Sequence, residues 1–516
     1  MKAITKVMVL GLLLLLTYTA SGNIVKRNRQ KNISKNNFKI EGTIIGLTNK
    51  DDSLSLIFYP DGLEIVGEDG IIIKSPIKNG RFKIETSLFE DLSYFKLSYP
   101  SCNVQLLCPF LGEAGDDIRV EISKDKIHFT GENSSSYNCQ SQMNSINGEF
   151  YPQSYLDRRQ AEAGANNLYS QLKYQSEGSR LILDKRLSIL ESYKAKMSNN
   201  FYKLLKMETY GIYQFGIIDL MLIFYKTRES SEINDIYRFC KEQLEFQKSL
   251  SIKGEIDTLL IPRSSYYAFS CLFQLDELRL LMETGYKYYG YKPISFGHLY
   301  EYVLENYNGL IRDKILTISF MHSFQSGTLS GSEAYFDTAL SAVQSKRYKR
   351  YIGNLKSSVA IGIPAFPFAL EEINGKTVSL GDLKGRIVVL DYWFTGCTGC
   401  AVLAKGMVPI HEMYRDTEDL VFVSICVDED RNLWRKSVAS GKYTDKHSLN
   451  LFTNGTNHPL IKHYNYNSFP QLMIIDKHGN VLDSKPPKPG PNRPEEAVFS
   501  GKRKEFVEIL QKALGK

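Results

Sequence analysis

Two cysteines three residues apart, Cys397 and Cys400, are the pair in this sequence best placed for covalent chemistry. The run Val388-Val389-Leu390-Asp391-Tyr392-Trp393 reads as a buried strand, and Phe394-Thr395-Gly396 as the turn that ends it. The turn opens a helix, with Cys397 among its first residues. Unpaired N–H groups and the positive end of the helix dipole favour a thiolate there. Three-residue spacing puts Cys400 on the same helix face, near enough to bridge Cys397 or to resolve a mixed disulfide.

Other uses of the pair fit less well. Zinc needs a second ligand pair, and no other C-x-x-C exists; His458 and His463 have a tolerable spacing but lie far downstream. Haem attachment requires histidine where Ala401 stands. A peroxidatic cysteine in P-x-x-x-T-x-x-C spacing would place proline where Leu390 stands. Gly375-Lys376-Thr377 resembles the end of a phosphate loop, but Leu370 replaces its first glycine, so it reads as a turn. No cofactor and no metal are expected. The other six cysteines are scattered; buried free thiols are the reading for most, with a local Cys102–Cys108 bridge as the alternative.

The elements that must hold this pair alternate between strand and helix. Arg386 to Trp393, Leu420 to Val427 and Gln471 to Asp476 are apolar strand runs. Helices are expected from Cys400 to Tyr414, kinked by Pro409, from Asp430 to Ser440, and from Lys502 to Leu514. Lys477-His478-Gly479-Asn480 makes a hairpin turn, and Lys485 to Pro494 an extended, proline-rich loop. Residues 356–516 therefore read as an α/β domain.

Upstream the periodicity differs. Short alternating runs between Phe38 and Ile122, punctuated by Asp61-Gly62, Asp69-Gly70 and Asn79-Gly80, predict an N-terminal β-sandwich over 38–135. Helical spacing, as in Leu183, Leu187, Leu190, Tyr193 and Met197, predicts a central α-helical domain over 136–355 without a clear repeat. Within it, Leu299 to Phe320 continues the helical pattern, Ser326 to Ser332 reads as a flexible break, and Lys346, Arg347, Lys349 and Arg350 as a solvated helix face.

Residues 1–22 read as a signal peptide: Lys2 and Lys6, an apolar run from Val7 to Leu16, and Ala20-Ser21-Gly22 before the cut. Residues 23–37 follow as a mobile stretch. Export to the periplasm or cell envelope is expected, with no transmembrane segment after cleavage. The net charge of +7 falls to +5 once Lys2 and Lys6 are removed, too diffuse to argue for nucleic acid.

The C-terminal region, about 357–516, resembles the thioredoxin superfamily, in particular the TlpA/ResA-like (AhpC/TSA-like) exported thiol-disulfide oxidoreductases. Beside the Cys397-Thr398-Gly399-Cys400 motif, the resemblance rests on the lead-in Gly362-Ile363-Pro364-Ala365-Phe366, the turn from Asn374 to Gly385, and Ser468-Phe469-Pro470-Gln471. The combination with a sandwich and a helical region also resembles multi-domain envelope proteins of Bacteroidota.

The resemblance implies a thioredoxin-like fold, Cys397 as attacking thiolate, Cys400 as resolving thiol, and a cis Pro470 facing the disulfide. It also implies that Asp391 is a buried acid handling the proton of Cys400. Phe469, Pro470 and Trp393 are the candidate substrate contacts, although Trp393 suits a place beneath the helix better. Implied partners are disulfide-containing proteins and a membrane or periplasmic dithiol donor. Three departures stand out: Leu403 where a glutamate is common, Gly396 where tryptophan is usual, and no proline between the cysteines. His411 and Glu412 read as a surface face and Cys426 as core. Two other functions compete with reductase: a thioredoxin-fold peroxidase, and an envelope binding protein whose thioredoxin-like domain is a scaffold.

Overall fold

The computed structural model describes residues 37–45, 53–66, 70–88, 91–98, 109–123, 127–146, 155, 168–227, 233–252, 254, 256–283, 296–326, 334–359, 361–445, 447–464, 466, 468–490 and 497–515. The segment expected to be a signal peptide, nearly all of the stretch that follows it, most of the Ser326–Ser332 break, and Cys102 and Cys108 lie outside them. By compactness the chain divides into two units, with the boundary between Ser319 and Phe320. No helix of the described residues is long and apolar enough to cross a membrane.

The first unit begins with eight strands: β1 (Phe38–Ile44), β2 (Ser53–Tyr59), β3 (Ile71–Pro76), β4 (Arg81–Thr86), β5 (Leu92–Ser98), β6 (Phe110–Glu113), β7 (Asp117–Ile122) and β8 (Ile127–Thr130). They form two four-stranded sheets, ordered β4-β1-β7-β8 and β3-β2-β5-β6. Strands β4 and β7 bury every second residue, as a pleated strand with one wet face must. Phe38, Ile40, Ile84 and Ile118 of one sheet share an apolar cluster with Leu54, Leu56, Phe95 and Phe110 of the other. Asn79 and Gly80 take positive φ (51° and 75°), and this two-residue turn carries the chain from β3 in one sheet to β4 in the other.

Helices follow: α1 (Ser134–Asn144), α2 (Leu168–Tyr193), α3 (Asn199–Thr227), α4 (Ile233–Ile252), a π-helical turn (Tyr267–Gln274) running into α5 (Leu275–Glu283), α6 (Phe296–Asn306) and α7 (Gly309–Ser326), which spans the unit boundary. The pattern from Leu299 to Phe320 is thus two helices. Gly309, at φ 55°, stands at the junction, a conformation that breaks helical geometry and suits a residue without Cβ.

The second unit continues through α8 (Tyr335–Ala342) and α9 (Lys346–Val359), which carries the basic cluster. Then come β9 (Ala369–Glu372), β10 (Thr377–Ser379), β11 (Ile387–Trp393), α10 (Thr398–Met413), β12 (Leu420–Cys426), α11 (Arg431–Ala439), β13 (Leu449–Phe452), α12 (Pro459–His463), β14 (Gln471–Ile475), β15 (Val481–Asp483) and α13 (Ala497–Leu514). One seven-stranded sheet results, ordered β10-β9-β13-β12-β11-β14-β15. Strands β11, β12 and β13 are parallel, and β14 runs antiparallel to β11. This is a thioredoxin-like domain. Leu403, Met407 and Ile410 of α10 pack with Phe506 and Leu510 of α13 against Val389, Phe422 and Ile474 of the sheet.

Helix α10 approaches the chain after β15 closely. A Cβ at Gly406 would lie 2.2 Å from Pro489 O, a backbone atom that cannot swing aside. Gly406→Ala should therefore destabilise this unit by about 1–3 kcal/mol, an overpacking cost that outweighs alanine's helix-propensity gain of ~1 kcal/mol. Both tryptophans of the chain, Trp393 and Trp434, are buried in this unit. Tryptophan fluorescence during denaturant unfolding of the full chain will read the lowered midpoint.

Candidate active site

The register of β11 and β14 decides what meets at the end of the sheet. Tyr392 pairs with Gln471 and Asp391 with Leu472, so the loop leaving β11 and the loop entering β14 emerge side by side. The first loop carries Cys397 and the second Pro470, residues 73 positions apart in sequence. The site sits beyond the carboxyl ends of the parallel strands, the usual place for chemistry in α/β sheets.

Cys397 and Cys400 form a disulfide with Cα atoms 5.3 Å apart. Cys397 is the N-cap of α10, which starts at Thr398, two residues earlier than the sequence suggests. The Cys400 N–H donates to Cys397 Sγ at 3.0 Å, so an unpaired helix N–H points at the first sulfur. That geometry stabilises a thiolate at Cys397 once the bridge is reduced. Cys397 is 6% exposed and Cys400 2%.

The loop before Cys397 is fixed on several sides. Thr395 N–H donates to Asp428 Oδ1 at 3.1 Å, and Thr395 Oγ1 lies 2.7 Å from Ser437 Oγ. Gly396 N–H donates to the Tyr443 hydroxyl at 2.9 Å, while Gly396 itself takes φ 96°. That positive φ accounts for glycine at a position where the family often has tryptophan. Gly399 lies against the second loop, where a Cβ would stand 3.2 Å from Pro470 Cδ. Leu403 points into the core with 2% exposure, a position where a glutamate would be buried without water.

The Phe469–Pro470 peptide bond is cis, and Cys397 Sγ lies 3.7 Å from Phe469 O. Phe469 packs edge-on against Phe394, ring centroids 5.9 Å apart, and Phe394 is 38% exposed. Trp393 does not reach this surface. It is fully buried, stacked on Tyr443 at 5.2 Å, and donates from Nε1 to Ser424 Oγ at 2.7 Å. It supports the site from below, and a direct substrate contact by Trp393 has no surface to act through.

Asp391 stands on β11 beside a small cleft of about 120 Å³ that is also lined by Ala404, Lys405, His411, Ser424 and Asp445. Its Oδ1 is enclosed and finds no hydrogen-bond partner among the described residues. Burial pushes its carboxyl up to about 7, against a smaller downward pull from Lys488. A carboxyl at that value is suited to general acid–base work near neutral pH.

His411 is not a surface residue. Its side chain is 10% exposed, its ring packs on Phe422, and its Nδ1 pairs with Asp445 Oδ2. The turn of α10 that carries it faces β12, so the helical phase counted from Cys400 reached the sheet rather than solvent. His458 and His463 serve local contacts: His458 Nδ1 caps α12 by accepting from Leu460 N–H, and His463 stacks on Phe366. Cys426 is buried in β12, where burial pushes its thiol up, and Cys139, Cys240 and Cys271 are buried in the first unit.

Sequence reading missed the two lysines of the proline-rich loop. Lys488 Nζ donates to Pro470 O at 2.7 Å, and Lys485 Nζ donates to Gln471 Oε1 at 2.7 Å. Lys485 also lies over the rings of Phe324 and Tyr466. A lysine between prolines reads as solvated, and the run Lys-Pro-Pro-Lys-Pro-Gly carries no local signal to the contrary.

Residues 385–481 match a family model described as Thioredoxin-like. Thiol-disulfide oxidoreductase ResA of Bacillus cereus is 28% identical over 131 residues, 25% of this chain and 70% of that protein. The ResA protein of Bacillus subtilis is 26% identical over 128 residues, covering 25% and 68% of the two chains. Among solved structures, a thiol:disulfide interchange protein from Bacteroides sp. has 21% identity and a TM-score of 0.24, covering 29% of this chain and 92% of that one.

Proposed function

We propose that this chain, a TlpA/ResA-like protein of the thioredoxin superfamily, is an exported reductase of protein disulfides. Its C-terminal domain has a thiol-disulfide oxidoreductase-like thioredoxin fold with a Cys397–Cys400 pair. The observation that carries the reading is the position of that pair, with Cys397 at a helix N-cap and its sulfur against the Phe469 carbonyl before cis Pro470.

In the reaction the Cys397 thiolate attacks one sulfur of a substrate disulfide, forming a mixed disulfide and releasing the other sulfur as a thiolate. Phe469 and Pro470 supply the backbone edge along which an extended substrate segment pairs, and Phe394 an apolar neighbour. Cys400 loses its proton to Asp391 and attacks Cys397 Sγ. The substrate leaves with two thiols, and the Cys397–Cys400 disulfide holds the oxidising equivalents. An external dithiol, membrane-borne or periplasmic, reduces that bridge and is itself oxidised. The signal segment 1–22 supports export, and the upstream region is read as a sandwich over 38–135 and a helical domain over 136–355.

Turnover of a model protein disulfide by the full chain, with a small dithiol as donor, tests the reading. Cys397→Ser should lose at least about 100-fold in rate. A wild-type protein that leaves the disulfide intact, or a Cys397→Ser variant as active as wild type, would overturn it.

A further inference from the structure

We propose that Lys488 is a positioning residue of the redox site, whose ammonium ties the cis-proline loop to the buried Asp391 carboxylate and sets the pH range in which Asp391 accepts the Cys400 proton. The proposal rests on the reading above, in which Asp391 takes that proton.

The root of Lys488 is fixed. The chain from Lys485 to Gly490 follows β15 and is held at both ends. Lys485 donates to Gln471, and Arg503 Nη2 of α13 donates to Gly490 O at 2.7 Å. Between them, the Pro489 backbone lies against α10 at Gly406. From this strap the Lys488 side chain reaches Pro470 O at 2.7 Å. Pro470 is two residues from Leu472, the register partner of Asp391, so the ammonium and the carboxylate lie at neighbouring strands of the same sheet end.

One hydrogen bond leaves two N–H directions of the ammonium unspent, and Asp391 Oδ1 is enclosed without a donor among the described residues. Opposite charges in such low-dielectric surroundings interact well beyond contact distance. The other charged groups facing the pair can be named. Lys485 on the strap and Lys502 on α13 face Lys488, and burial holds the Lys485 amine well below the usual lysine range. Lys405, His411 and Asp445 share the cleft with Asp391. Burial, and after it the charge of Lys502, lowers Lys488 to about 8 while Asp391 raises it, which is the reciprocal of the pull that Lys488 exerts on Asp391. Lys488 thereby favours the ionised carboxylate, the form able to accept a proton. Losing the ammonium moves that form to higher pH.

The test uses the full chain in the reduced state, with Lys488→Met, Lys488→Gln and Lys488→Arg. The infrared carbonyl band of protonated Asp391, identified by its loss in Asp391→Asn, is titrated. Release of glutathione from a Cys397 mixed disulfide is timed across pH. Both neutral variants should raise the band's midpoint by about one pH unit and slow release about tenfold on the acid side of the step. Lys488→Arg should restore both, and in an Asp391→Asn background Lys488→Met should change release no further. An unmoved midpoint in a neutral variant whose tryptophan-monitored unfolding matches wild type would overturn the proposal. Equal slowing with and without the Asp391 carboxyl would do the same. A wild-type protein that never releases glutathione would instead overturn the underlying reductase reading, while the infrared midpoint still decides whether Lys488 acts on Asp391.

Discussion

Cys400→Ser should accumulate a covalent, dithiothreitol-sensitive complex with its substrate protein, and Cys397→Ser far less. The asymmetry follows from α10. Cys397 is the cap residue that receives a helix N–H, whereas Cys400 lies a turn inside with 2% exposure. Reduction leaves the favoured thiolate at Cys397, so Cys400→Ser keeps the nucleophile and loses only the group that releases it. Intramolecular resolution enjoys an effective concentration far above any external thiol, so release should slow by at least about 10³-fold. The trapped complex, separated under non-reducing conditions, would identify the substrate. Equal trapping by both variants would contradict the assigned roles. No trapping by either would leave the bridge a local structural feature and favour the scaffold reading.

Much of the second unit was legible because its strands obey strong local rules. The apolar run before Cys397 and the run before Cys426 are buried on both sheet faces, and the hydrophobic count alone marks such strands. The cis bond at Pro470 was legible only through resemblance, since no spacing rule fixes an isomer. The short strands β6, β8 and β13 were missed. Phe110–Glu113 and Ile127–Thr130 are four residues long and owe their pairing to neighbouring strands.

The same limit applies to the site. Nothing local in Lys-Pro-Pro-Lys-Pro-Gly announces that its lysines will turn inward. That outcome depends on Gly406 admitting the Pro489 backbone and on the register that puts Pro470 O within reach. His411, read as a surface residue, faces the sheet for a different reason: eleven residues make about three turns, so it falls on nearly the same helix side as the buried Cys400.

Asp391→Asn should remove the step near pH 7 from the mixed-disulfide resolution profile and, in the same protein, raise stability above that pH. The sign is fixed by linkage. The folded carboxyl titrates at about 7 and the unfolded one near 3.8, so between those values the folded state binds more protons than the unfolded state. Stability from this group is complete below the unfolded value and is lost as pH rises through the folded one. A gap of that size corresponds to at most about 4 kcal/mol, and the partial opening of Asp391 onto its cleft lowers the expectation to about 2–4 kcal/mol. Asparagine carries no charge to desolvate, so the variant should show little of this slope and unfold at higher denaturant at pH 8. Trp393 and Trp434 make the reading specific to this unit in the full chain. A carboxylate kept at such a cost needs a use, and proton transfer from Cys400 supplies one. If stability rises as expected while the resolution profile keeps its step, Asp391 is buried and raised but handles no proton in the reaction. The base for Cys400 must then be sought elsewhere around the disulfide.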